Sequence, residues 1–230
     1  MTKNSTHTIT ICACSSREIM NRAEISKLFS ALKNSAQNVV VVPDLCKIAI
    51  SDKEQMEKLA SNTIIACYPR AINSIFENIG LKPVRVLDIR NHSSEQILSE
   101  MGISQAAFLP EHTVDFSPAT GEEAWYPIID KERCTECGKC YDFCLFGVFE
   151  MADREVKVVQ PQNCKNNCPA CARVCSTKAI IFPKYEKSPV NGGLTDEENF
   201  DEIEIKELYN SRLKYKLEER RKKITLLKKD

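Results

Sequence analysis

The chain has 230 residues, 43% of them hydrophobic, with 32 basic and 32 acidic side chains and a formal net charge of zero; this supports a packed core and points away from nucleic acid or an acidic membrane surface as partner. No apolar run reaches the length of a membrane span, and the start, MTKNSTHTITICACSS, lacks the apolar centre of a secretory signal. Twelve cysteines are present, and in the reducing, cytoplasmic setting this implies, clustered cysteines bind metal or do redox work rather than build a disulfide scaffold.

Residues 1–102 alternate strand and helix signals. Residues 8–13 (TITICA) form a β-rich run. Ser15 with Glu18 makes a capping box that opens a helix to about Asn34, with Ile19, Ala23, Ile25, Leu28, Phe29 and Leu32 on one face. Residues 38–43 (NVVVVP) are a continuous apolar run, as in a strand covered on both sides. Ser51 and Glu54 form a second box before a short helix to about Ala60; residues 63–67 (TIIAC) are the third strand. A helix over 70–79 ends at Gly80, a fourth strand spans 84–89, and Ser93 with Gln96 opens a helix ended by Gly102. This alternation predicts an α/β domain built on an open parallel sheet.

Cys12 and Cys14 end the first strand, Cys46 follows the second and Cys67 closes the third. In such a sheet the carboxyl ends of the strands share one edge, and ligands bind there. Four soft thiolates gathered at that edge favour iron–sulfur or zinc. The competing readings are buried small apolar residues and a redox dithiol at Cys12-x-Cys14. The segments ICACSSR, DLCKI and ACYPR, in this order, resemble the N-terminal domain of the A-type subunit of heterodisulfide reductase over residues 8–100. That resemblance implies a third [4Fe-4S] cluster on Cys12, Cys14, Cys46 and Cys67. Tyr68 stands where the family has serine, and the segment after Cys46 lacks the family's polar run. The chain also lacks the GxGxxG and GxxxxGK[ST] fingerprints, so neither a flavin nor a nicotinamide site is expected.

Residues 103–127 hold Pro110, Pro118, Gly121 and Pro127 and read as a connector, whose Trp125 and Tyr126 are expected to cap the adjoining core. Within 128–183 come two cysteine runs, Cys134-x2-Cys137-x2-Cys140-x3-Cys144 and Cys164-x3-Cys168-x2-Cys171-x3-Cys175. Three thiolates on a tight loop hold three corners of a cubane, and the fourth cysteine of each run crosses to the other cluster. The expected sets are therefore Cys134, Cys137, Cys140 and Cys175, and Cys164, Cys168, Cys171 and Cys144. Paired zinc knuckles are the alternative, but a third cysteine at x2 and a fourth at x3 is not their pattern. Two apolar runs, 148–151 and 156–159, flank ADRE as a hairpin, and 179–182 is a last short strand. The segment resembles a small α+β bacterial ferredoxin with two [4Fe-4S] clusters. Leu145 and Ser176 replace the prolines that often follow each fourth cysteine, and the second run carries one extra residue between its first two cysteines. Backbone N–H groups near Gly138 and Gly147 are candidates to tune the cluster sulfurs.

Residues 184–200, with Pro189, Gly192 and Gly193, read as a linker in which Thr195 and Glu198 cap the next helix. Residues 201–230 read as a charged C-terminal helix; between positions 212 and 229 it has nine basic and two acidic residues. It is a solvated helix, a docking helix for a partner protein or, least in keeping with its lack of interleaved aromatics, a nucleic-acid contact. His7, His92 and His112 have no motif partner, and no catalytic constellation is present. The resemblances imply an iron–sulfur electron-transfer protein or subunit serving a redox partner, a flavoprotein or another iron–sulfur enzyme. The alternatives are an enzyme subunit doing thiol or disulfide chemistry at the N-terminal cysteines, and a redox-sensing regulator.

Overall fold

A computed structural model of the chain describes residues 8–103, 113–117 and 123–193, and within 210–218 all but 212 and 216. Strand β1 (Thr8–Cys12) is flanked by β2 (Asn38–Val42) and β3 (Thr63–Ala66), and β4 (Arg85–Asp88) lies outside β3. All three pairings are parallel, giving the order β2-β1-β3-β4. The central strands TITIC and TIIA are buried nearly end to end, as a parallel sheet covered on both faces requires. Crossovers run through α1 (Arg22–Asn34), the pair α2 (Leu45–Ser51) and α3 (Lys53–Ala60), and α4 (Pro69–Asn78), with α5 (Ser94–Glu100) after β4. The predicted α/β parallel sheet is present, with Ile9, Ile11, Ile64, Ile65, Ile72 and Phe76 at its centre.

Helix ends differ from the sequence reading where tertiary contacts compete for the capping groups. Ser15 caps nothing: its N–H donates to the Pro43 carbonyl (2.8 Å), holding residues 13–20 across the strand ends. The helix therefore starts at Arg22, where the Asn21 side chain accepts from the N–H groups of Ala23 and Glu24. Ser51 is the last residue of α2, a helix not predicted, whose N-cap is Asp44; Asp52 caps α3. The Ser93–Gln96 box forms in both directions. Beside it, the Glu24 carboxylate of α1 accepts from the N–H (2.7 Å) and hydroxyl (2.8 Å) of Ser94, tying α1 to the first turn of α5.

The second unit is smaller. Strands β5 (Ile128–Ile129) and β8 (Ile180–Ile181) pair antiparallel, as do β6 (Phe149–Ala152) and β7 (Glu155–Val158). Asp153 and Arg154 turn the hairpin with positive φ at both positions, the twist that suits a two-residue connection. Short helices α6 (Lys139–Phe143) and α7 (Ala170–Arg173) follow the two cysteine loops. Trp125 stacks on Phe182 at 5.2 Å and closes this core as expected. Tyr126 does not: its ring belongs to the core of the parallel-sheet unit, and its hydroxyl donates to the Cys46 carbonyl at 2.9 Å.

The two units are not beads on a string. Arg70 of α4 reaches Asp130 (Nε–Oδ2, 2.6 Å) and the Lys178 carbonyl, and Arg90 after β4 reaches the carbonyls of Pro183, Tyr185 and Glu186. Asn78 donates to the Ile129 carbonyl (2.6 Å). Residues 184–193, read from the sequence as the start of a linker, are folded into the seam: Val190 is buried in the core of the smaller unit, and Lys184 and Asn191 are buried as well, Lys184 against Asp44 of the parallel-sheet unit. At Gly192, φ is +93°, and a Cβ would meet the Ala71 Cβ at 2.7 Å, so this close crossing over α4 requires glycine. The described positions of 210–218 are helical and exposed. The rest of the 201–230 helix, the Thr195 and Glu198 caps, most of the 103–127 connector, His7 and His112 lie outside the described residues. His92 donates through Nδ1–H to the Asp88 carbonyl (2.9 Å). No helix among the described residues is long and apolar enough to cross a membrane.

Glu24→Ala removes the carboxylate oxygen that accepts both hydrogen bonds at the start of α5. It is expected to lower stability by about 1–2 kcal/mol, read as a shift of the urea midpoint at neutral pH; an unchanged midpoint would remove this contact from the account of the fold.

Candidate functional site

The order β2-β1-β3-β4 reverses direction at β1, the kind of switch point beside which a parallel sheet opens a crevice at its carboxyl edge. Cys12 is the last residue of β1, and Cys14 takes positive φ (+47°) in the turn beyond it. Cys67 follows β3 directly, and Cys46 sits in the first turn of α2. All four are free thiols between 6% and 7% exposed. They are close enough to influence one another. Burial and then the neighbouring Cys12 and Cys67 hold the Cys14 thiol well above its ordinary range. Burial and then Asp44 raise Cys46, with Cys14 and Cys12 adding; burial and then Cys46 and Cys12 raise Cys67. Cys12 is pushed up to about 11 by burial and Asp44, although Leu45 N–H donates to its sulfur at 3.4 Å. Four buried thiols that repel as thiolates need a compensating cation, and a metal centre supplies one.

A second observation points the same way. The Ser15 hydroxyl, next to Cys14, is buried and has no hydrogen-bond partner among the described residues. A donor left unpaired in a dry site calls for an acceptor, and thiolate or sulfide sulfur beside Cys14 fits it. Lys184 lies beneath the same edge. Its ammonium donates to Asp44 (2.6 Å) and Ser16 (2.8 Å), and both charged side chains are only 2% exposed. Burial works to lower the Lys184 pKa, but Cys46 and Asp44 outweigh it and hold the charge in place. No motif marks Lys184 in the sequence, where it falls in an apparent linker.

In the smaller unit the thiols group across the runs. The Cys140 thiol is pushed up to about 12 by burial, then by Cys175, Cys134 and Cys137. Cys164 is pushed up to about 12 by burial, then by Cys168 and Cys144. Cys171 stands well above its ordinary range through burial, then Cys164, Cys140, Cys144 and Cys168. Each fourth cysteine thus lies with the first three of the other run, and Cys171 and Cys140 bring the two groups side by side. Cys175 Sγ accepts from Ala179 N–H at 3.3 Å. Gly138 (φ +74°) and Gly147 (φ +66°) provide the left-handed turns beside the first run. Cys137 is exposed; Cys140 and Cys171 are buried; Cys134, Cys144, Cys164, Cys168 and Cys175 are between. Among the described residues, no three His, Cys, Asp or Glu side chains converge as for a single ion. A cubane does not ask for that, because each thiolate binds a separate corner iron.

An uncharacterised ferredoxin of Methanocaldococcus jannaschii is 46% identical over 67 residues, 29% of this chain and 45% of its own length. A second uncharacterised ferredoxin of that organism is 38% identical over 58 residues, 24% of this chain and 74% of the relative. Pyruvate synthase subunit PorD of the same organism is 33% identical over 61 residues, 26% of this chain and 70% of PorD. The chain belongs to the ferredoxin family. The matched stretches are each under a third of the chain, and the chain spans less than half of the first relative. No family model matches the chain. Ferredoxin relatives and twelve cysteines together support an iron–sulfur cofactor.

Lys184→Met keeps the stem and deletes the charge, leaving Asp44 buried and unpaired. It is expected to cost about 3 kcal/mol in anaerobic denaturation followed at the visible absorption of the cofactor; a loss under about 0.5 kcal/mol would mean that water or another cation replaces the ammonium.

Proposed function

We propose that this ferredoxin passes single electrons through three [4Fe-4S] clusters to a redox enzyme partner. Two are held by Cys134, Cys137, Cys140 and Cys175, and by Cys164, Cys168, Cys171 and Cys144. The third is held by Cys12, Cys14, Cys46 and Cys67. The observation that carries this reading is the grouping of the thiols into three neighbourhoods of four, a buried one at the carboxyl edge of the parallel sheet and two that exchange their fourth members. When bound, such clusters supply one-electron redox at potentials set by hydrogen bonds and burial. The chain's own part is to hold the thiolates, donate hydrogen bonds to sulfur from Leu45, Ala179 and Ser15, and keep water from the N-terminal site.

The parallel sheet with cysteines at its strand ends supports the resemblance to the N-terminal domain of the A-type subunit of heterodisulfide reductase. The PorD relative supports a place as subunit of an oxidoreductase complex; a cytoplasmic location and docking through residues 201–230 complete the proposal. Thiol or disulfide chemistry at the N-terminal cysteines is disfavoured by their burial, since exchange needs an accessible thiolate.

Anaerobic iron and sulfide counting tests the reading, with about twelve irons expected per chain. Cys12→Ala and Cys67→Ala should each remove about one third of the iron and the corresponding EPR signal. Eight irons that neither substitution changes would sink the N-terminal cluster, and stoichiometric zinc without visible absorption would sink all three. Ser15→Ala should keep the iron count and move the N-terminal cluster to a more negative potential in EPR-monitored titration, since a hydrogen bond to sulfur favours the reduced, more negative state. An unchanged potential would assign that hydroxyl another role.

A further inference from the structure

We infer that Arg17 is a positioning residue that fastens the Cys164–Cys168 loop onto the strand end carrying Cys12 and Cys14, so that the Cys164 set stands between the N-terminal set and the Cys134 set. This rests on the three-cluster reading above and adds the order of the sets and the residue that fixes it.

Arg17 lies three residues beyond Cys14, and its N–H closes a turn on the Cys14 carbonyl (3.2 Å). Its side chain leaves the parallel-sheet unit and crosses the seam. The guanidinium lies over the Trp125 ring at 4.5 Å and pairs with the Glu123 carboxylate through two nitrogens. The same guanidinium donates to the Lys184 carbonyl (3.4 Å) and to the side-chain oxygens of Asn166 (3.1 Å) and Asn167 (2.6 Å). Asn166 and Asn167 are two of the three residues between Cys164 and Cys168, the loop that is one residue longer than its counterpart in the first run. Asn167 has positive φ (+61°), which asparagine tolerates better than most residues. The longer loop thus presents two adjacent side-chain carbonyl oxygens to one guanidinium nitrogen, Nη2, while the planar fork of Nε and Nη2 is held by the Glu123 carboxylate, a two-nitrogen match lysine cannot reproduce.

Burial places the sets in the same order. Cys164 packs against the cores of both units, whereas Cys134 and Cys175, of the other set, pack against that of the smaller unit. Cys171 and Cys140 join the Cys164 set to the Cys134 set. Cys137, in the Cys134 set, is exposed. The sets therefore run from the buried strand ends, through the Cys164 loop, to the surface at Cys137, where a partner's one-electron donor or acceptor has access.

Two variants cut the contact from opposite sides: Arg17→Met, and Asn166→Ala with Asn167→Gly, which keeps the backbone turn. Each is reduced by one electron per chain from a photoreduced flavin analogue, which is itself oxidised in the step. The full chain is then followed by iron counting, low-temperature EPR and the rate at which the electron equilibrates between the N-terminal and ferredoxin signals. In both variants we expect full iron, weaker magnetic broadening between the N-terminal signal and its neighbour, and equilibration slowed about tenfold, because ångström shifts in placement are costly. Arg17→Lys should fall between Arg17→Met and the parent. Full iron with parental broadening and rate in both variants would overturn the assignment. A parent chain with eight irons would instead defeat the three-cluster reading.

Discussion

A guanidinium carried into a protein interior must find acceptors for its donors, and three arginines meet that demand in the same way. Arg17, Arg70 and Arg90 all leave the carboxyl edge of the parallel sheet and reach the smaller unit, Arg17 at the side-chain oxygens of Asn166 and Asn167, Arg70 at the Asp130 carboxylate and Arg90 at backbone carbonyls. Arg17 follows Cys14 by three residues, and Arg70 follows Cys67 by three. The strand ends that deliver cysteines therefore deliver the seam as well. A parallel sheet places those ends along one edge, and everything else about the site depends on that shared edge.

The same edge resolves an electrostatic conflict. Four thiols with little exposure raise one another's proton affinity, and Asp44, which caps the helix of Cys46, makes matters worse. Lys184 answers Asp44 from the far end of the ferredoxin segment. The cap of one short helix and a residue 140 positions away are thus parts of one arrangement. The remaining negative charge is what an iron–sulfur centre would neutralise.

Much of this was legible in the sequence. The strands were readable because TITIC and TIIA are rich in β-branched residues and NVVVV is a continuous apolar run, and the Ser93–Gln96 box because both of its bonds are local. The spacing of the cysteine runs named the ferredoxin before any coordinate did. What escaped depends on distant partners. Ser15 has the chemistry of a cap, but its N–H is claimed by Pro43. Ser51 and Asp52 are both capping types, and only the break between α2 and α3 chooses Asp52. KSPVNGG has the composition of a linker, yet Asn191 and Gly192 are fixed by Glu186 and by the close pass over Ala71. The arginines carried one faint signal, their equal offset from Cys14 and Cys67.

The burial of Lys184 bears on modularity. By sequence likeness the ferredoxin is a detachable part, ending where its last strand ends. Cutting the chain at that boundary would take the ammonium away from Asp44 and strip residues 188–193 from the face of α4. Here the two units have exchanged pieces of their interiors. Neither could be transplanted into another protein, or traded for a homologous module, without carrying part of the other along.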